Sequence, residues 1–155
     1  MGSGQHSPLD AFLFRMFGMD ENVRRRLQAF LETGGFDKSL VGLEVVDAHA
    51  GKATLRIIVC TAVQNLGGNL HGGAIATLVD DAGTLAIMTA DKDGRPGVTT
   101  DLNVSYLAAG RAGEVVLAVA EVLKVGRTLA FVTVDVRSEQ SGRLLAQGRM
   151  TKFLA

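Results

Sequence analysis

The chain has 155 residues with 16 basic and 16 acidic side chains, so its formal net charge is zero, and nothing in the balance draws it to nucleic acid or an anionic membrane. That length suits one domain around a single core, and 47% hydrophobic against 21% charged residues argue against a disordered chain. One cysteine, Cys60, and three histidines, His6, His49 and His71, exclude an internal disulfide and argue against a metal site, so no metal or other cofactor is expected. Cys60 itself reads as a buried apolar strand residue.

The opening MGSGQHSPLD lacks the basic and apolar regions of a signal peptide, and His6 stands where a myristoylation pattern needs Ser or Thr. Residues 9–32 predict a helix, with Leu9, Phe12, Leu13, Met16 and Phe17 at helical spacing, an interruption at Gly18, then Val23, Leu27, Phe30 and Leu31. Arg24, Arg25 and Arg26 read as a solvated face; beside Phe and Leu they faintly resemble a transit segment, against which Asp10, Asp20 and Glu21 count. The expected location is therefore the cytoplasm, with the mitochondrion as the alternative. Gly34 and Gly35 stop the helix, dividing residues 1–37, a helical extension, from a main domain over 38–155.

A strand around Val41–Ala48 pairs through a turn at His49–Gly51 with a second, in which Ala53, Leu55, Ile57 and Val59 share one face and Lys52, Thr54 and Arg56 the other. His49 is assigned to turn chemistry. Residues 73–90 switch to helical period: Ile75, Leu78, Val79, Ala82, Leu85, Ala86 and Thr89 form an apolar face, and the opposite face is mostly small. A helix covered on both sides would bury Asp80, whereas Asp81 is expected to be solvated or ion-paired. No run approaches the ~20 apolar residues of a membrane span. Four alternating runs follow, Val98–Leu107, Glu114–Lys124, Thr128–Arg137 and Leu144–Phe153, and their short connectors predict an antiparallel meander. The class is α+β, one curved sheet around one helix, whose edge strands and open helix face favour oligomerisation.

The segment Asn65-Leu-Gly-Gly-Asn-Leu-His71-Gly72-Gly73 runs straight into the helix. Unpaired N–H groups at a helix start, next to residues without side chains, make an oxyanion or carbonyl site, although a tight turn with an N-cap needs the same residues. Asp80, two turns further on, could serve as general base or nucleophile, or as a satisfied polar group. Lys124 and Arg127 flank a glycine turn and could meet phosphates, or blunt a hairpin tip.

The segments NLGGNLHGGAIATLVDDAGTLAIM, GVTTDLNVSYLAAG, VLKVGRTLAFVTVDV and GRLLAQGRMTKFL resemble the PaaI-type hotdog-fold acyl-CoA thioesterases, and within them most of all the thioesterase superfamily member 2 (acyl-CoA thioesterase 13) group. The resemblance spans residues 38–153 in four blocks that agree in order and spacing. It implies a hotdog fold and hydrolysis of acyl-CoA, with CoA present only as part of substrate and product. Asp80 matches the carboxylate that activates water or attacks the thioester. Asn65 and the Gly72 N–H match the groups that polarise the carbonyl. His71 shapes the same loop, and Thr99 stands where relatives carry a serine that holds the water. The resemblance further implies that Asn65 and Asp80 meet across a dimer interface, and that dimers pair into a tetramer. It places the CoA nucleotide at Lys124, Val125, Gly126, Arg127, Thr128 and Leu129, with Tyr106 and Phe153 nearby. Medium- to long-chain fatty acyl-CoA is the implied substrate. The alternatives are an aryl-acyl-CoA of phenylacetyl type, a non-catalytic acyl-CoA binding module and a dehydratase on the same fold.

Overall fold

The computed structural model describes residues 35–155 and, before them, Arg25 and Ala29, both helical and exposed. The rest of the helix expected over residues 9–32 lies outside the described residues. A 3-10 turn at Phe36–Ser39 leads into β1 (Glu44–His49) and β2 (Lys52–Ile58). Ala50 and Gly51 link these strands, with φ of 46° and 80°. Two successive left-handed residues are what a two-residue hairpin needs to follow the strand twist. The hairpin tip is tied down by Gly51 N–H donating to Thr89 Oγ1 at 2.9 Å and by Val122 N–H donating to Gly51 O at 2.8 Å. Ala53, Leu55, Ile57 and Val59 are all buried, as their alternation predicts. Cys60 departs from expectation: it is half-buried and lies past the strand end, at the N-cap of the 3-10 turn Thr61–Val63.

Helix α1 (Gly72–Ala90) buries the predicted face except Thr89, which is half-buried, and also Gly83, Thr84 and Ile87 on the opposite one. It packs against all six strands. Close approach is set by glycine on both partners. A Cβ on Gly83 would sit 2.5 Å from Met150 Cε, and one on Gly148 would sit 2.4 Å from Val79 Cγ1. Contrary to the sequence reading, α1 is by length and composition apolar enough to cross a bilayer; here its apolar surface is spent on the sheet.

The remaining strands are β3 (Val98–Tyr106), β4 (Val115–Val125), β5 (Leu129–Ser138) and β6 (Leu144–Phe153). The sheet is fully antiparallel, in the order β1-β2-β4-β5-β6-β3. This corrects the expected four-strand meander: only β4, β5 and β6 form one, while β3 pairs with β6 and β4 with β2. The reason lies in the β3–β4 link, which is held elsewhere than by its own strands. Leu70 N–H donates to Gly110 O at 2.7 Å, Gly113 N–H donates to Val59 O at 2.9 Å, and Asn69 bridges Arg111. The link therefore passes over the entrance of α1 and delivers β4 to the other side of the sheet. It leaves β3 as a free edge with Val98, Leu102 and Tyr106 exposed. One antiparallel sheet curled around one central helix is the hotdog fold.

Candidate active site

Two clusters of functional groups lie along α1. The first is its entrance. His71 caps the helix, its Nδ1 accepting from Gly73 N–H at 2.8 Å, which puts the ring proton on Nε2. Of the two glycine donors foreseen, one is thus consumed, and among the described residues none accepts from Gly72 N–H. Tyr106 closes over this point, its hydroxyl donating to Gly72 O at 3.1 Å. Asn65 Oδ1 accepts from Gly67 N–H at 2.9 Å and from Asn69 N–H at 3.2 Å. With the oxygen committed to the loop, the Asn65 amide presents its NH2 as the donor. His71 N–H to Val63 O at 2.8 Å locks this loop onto the domain. The entrance thus offers the Gly72 N–H at the positive end of the helix and the Asn65 amide on the loop that leads into it.

The second cluster surrounds Asp80, on the stretch of α1 that faces β3 and β6. Thr99 Oγ1 donates to Asp80 Oδ1 at 2.8 Å. Lys152 Nζ lies 3.7 Å from the same oxygen, an ion-pair separation, and donates to Thr84 Oγ1. Thr84 Oγ1 in turn donates to the Asp80 backbone carbonyl at 2.7 Å. Thr99 and Lys152 are direct cross-strand neighbours on β3 and β6, so they close on the carboxylate together, just before a bulge that follows Thr99. Burial holds the Lys152 ammonium below the ordinary lysine range, with Asp80 opposing that shift.

The two aspartates exchange the roles expected of them. Asp80 keeps 41% of its side chain exposed, whereas Asp81 is only 5% exposed and its Oδ2 has no hydrogen-bond partner among the described residues. Adjacent helical residues point about 100° apart. With Asp80 turned toward the open β3 edge, Asp81 is forced under the Phe36–Ser39 turn. There it lines a cavity of about 410 Å³ with Asp37, Leu40, Leu43, Val45, Leu55 and Leu85. Burial first, then the neighbouring Asp37 and Asp80 charges, push the Asp81 carboxyl up to about 7, with Lys152 opposing.

The residues foreseen for CoA lie at the other end of the helix. Lys124, Val125, Gly126, Arg127, Thr128 and Leu129 form the β4–β5 hairpin, closed by Gly126 N–H donating to Leu129 O at 2.7 Å. The side chains of Lys124 and Arg127 are exposed. Phe153 pairs across strands with both Leu129 and Val98, making an exposed apolar row beside the hairpin. Sequence reasoning missed Arg95, which lies next to this hairpin. It makes two side-chain bonds to the Asp91 carboxylate, at 2.7 and 3.1 Å, and holds that carboxyl below its usual range. It also missed Lys152, though a signal existed: Lys152 shares its strand face with Ala146, Gly148 and Met150, all buried, and a lysine in such a row needs a partner inside. No group of three or more His, Cys, Asp or Glu side chains that could hold a metal occurs among the described residues.

In one chain the clusters cannot act on one bond. Gly72 and Asp80 are separated by roughly 12 Å of helical rise at 1.5 Å per residue.

Residues 67–145 match the model of the thioesterase superfamily. The mouse protein acyl-coenzyme A thioesterase 13 is 39% identical over 90% of this chain and 99% of its own length. The crystal structure of zebrafish thioesterase superfamily member 2 is 46% identical, covers 84% of this chain and 94% of that one, and superposes with a TM-score of 0.78. A hypothetical thioesterase from Streptococcus pneumoniae, crystallised with coenzyme A, is 27% identical over 76% of this chain and 89% of that one, with a TM-score of 0.70. With the sequence similarity running almost end to end and the fold agreeing with it, the chain belongs to the thioesterase superfamily.

Proposed function

We propose that this protein hydrolyses acyl-CoA thioesters to a free acid and CoA, acting on medium- to long-chain fatty acyl-CoA in fatty acid metabolism, and that residues 38–155 are the catalytic domain. The observation that carries the reading is the Thr99–Asp80 hydrogen bond of 2.8 Å, set on a helix whose entrance leaves the Gly72 N–H free for a ligand oxygen. The separation of the clusters along α1 supports a site shared by two subunits, which the exposed β3 edge would join; dimers would then pair into a tetramer. The Gly72 N–H and the Asn65 amide of one subunit hold the thioester carbonyl oxygen as negative charge develops on it. A water bound between Thr99 and Asp80 of the second subunit attacks the carbonyl carbon while the Asp80 carboxylate takes its proton. The tetrahedral intermediate collapses, the C–S bond breaks, and the proton passes to the leaving CoA thiolate. The nucleotide end of CoA rests on the Lys124–Leu129 hairpin beside Phe153, its phosphates met by Lys124 and Arg127, whereas Tyr106, expected there too, stands at the entrance of α1 over Gly72. His71 supports this indirectly, by fixing the loop from which Gly72 donates.

The test is CoA release, read by a free-thiol reagent, across short, long and aryl acyl-CoAs for wild type and Asp80→Ala. Turnover that rises with chain length and disappears in the variant is expected. A maximum at aryl substrates would replace the fatty acyl assignment, and undiminished turnover by Asp80→Ala would remove Asp80 from the mechanism. Tight CoA binding without release from any substrate would make the protein a binding module.

A further inference from the structure

An ammonium is an expensive group to bury, and Lys152 is only 7% exposed at its side chain. Every other residue on its face of β6 from Ala146 onward is small or apolar, so a methionine or leucine would fill the place at lower cost. What the lysine adds is directed charge. Its Nζ donates to Thr84 Oγ1, whose own proton is committed to the Asp80 backbone carbonyl at 2.7 Å. From that anchor it stands 3.7 Å from Asp80 Oδ1, the oxygen that also accepts from Thr99 at 2.8 Å. Both contacts fall on one carboxylate oxygen. Among the described residues no hydrogen bond falls on Oδ2, and the side chain keeps 41% of its surface exposed.

We propose that Lys152 is a positioning residue for the thioesterase reaction. Its buried ammonium, braced by Thr84, holds the Asp80 carboxylate turned so that Oδ1 is fixed on Thr99 and Oδ2 is free to take the proton of water. The proposal rests on the role given above to Asp80. The charged groups around it are Asp80 and Asp81 on α1 and Asp37 in the turn before β1. Asp80 is the first of them to act on Lys152.

The experiment compares wild type with Lys152→Met, Thr84→Val and Asp80→Asn in the full-length chain, by steady-state kinetics and by thermal unfolding. Lys152→Met is expected to lose roughly ten- to a hundred-fold in kcat, the range of a misplaced catalytic group, with KM little changed and Tm equal or higher. Thr84→Val, which keeps the lysine but removes its anchor, is expected to fall between that variant and wild type in kcat. A merely structural lysine would instead lower Tm and leave kcat in place. Wild-type kcat in Lys152→Met, with Asp80→Asn inactive, would overturn this inference alone. Activity retained by Asp80→Asn would overturn it together with the reading on which it rests. Should Lys152→Met fail to fold, an unchanged kcat in Thr84→Val overturns the bracing role by itself.

Discussion

Replacing Asp81 with asparagine should stabilise the protein above neutral pH and flatten its stability against pH. The Asp81 carboxyl titrates at about 7 in the folded chain against 3.8 as a free group. Because its folded value is raised, the stability it contributes is full below about pH 4 and is lost as pH rises through about 7. At 1.36 kcal/mol per unit, the whole displacement corresponds to about 4 kcal/mol, an upper figure because local relaxation and water entry lower it. Between about pH 5 and about pH 8.5 the loss for wild type should be roughly 3 kcal/mol. Asparagine keeps the shape, is neutral throughout, and gives Asp37 a donor instead of a second carboxyl. The assay is urea unfolding at both pH values and one fixed protein concentration, since association adds to apparent stability. The variant should exceed wild type by about 1–1.5 kcal/mol at the lower pH, where part of the loss has already occurred, and by about 4 kcal/mol at the higher, so that its advantage grows by the 2–3 kcal/mol that linkage sets. Parallel pH dependence in the two proteins would refute the argument, because it would mean that Asp81 is not carrying its charge into a dry site.

Four further substitutions test the fold and the CoA site. Ala50, with φ of 46°, occupies a left-handed position that suits asparagine or glycine, so Ala50→Asn should raise stability by about 0.5–1 kcal/mol in a thermal melt. Gly148→Ala places a methyl 2.4 Å from Val79 Cγ1 and should cost about 2–3 kcal/mol in urea unfolding. Lys124→Ala and Arg127→Ala should each raise KM for acyl-CoA several-fold with kcat little changed. The difference from wild type should shrink at about 1 M salt, where exposed charges are screened within ~3 Å.

Much of the architecture is legible from alternation and period. The strand faces of β2 and the extent of α1 follow from where apolar residues recur, because burial against one partner surface imposes that recurrence. The order of strands does not follow. The decision between pairing β3 with β4 and pairing it with β6 is made by hydrogen bonds from Val59, Leu70 and Gly110, contacts between segments distant in sequence. A short connector is a poor guide when its own residues are bonded elsewhere. Asp80 and Asp81 illustrate the same limit at the site. The pattern places them on different sides of α1, but which side is dry depends on what lies over it. The turn at Phe36–Ser39 covers Asp81, while the free β3 edge leaves Asp80 half open. Lys152 escaped notice because lysine is read as a surface residue by default; only its parity with Gly148 and Met150 marked it as inward.

The entrance of α1 offers the Gly72 N–H and the Asp80 cluster offers a carboxylate oxygen, yet helix geometry holds them roughly 12 Å apart within a chain. If one thioester must touch both, the second set of groups comes from another copy, and a defect at either end can be supplied by a partner. Asn65→Ala and Asp80→Ala proteins, each inactive alone, should therefore recover activity when dissociated together and allowed to reassociate. Random pairing gives one half mixed dimers, and each mixed dimer holds one site free of both substitutions, so about a quarter of wild-type turnover should return. The readout is thiol release before and after mixing, with the mixed species counted by tagging one variant. Turnover that stays absent while mixed dimers form would mean that both groups serve the same site from one chain. The arrangement along α1 would then have to change on substrate binding to bring them together.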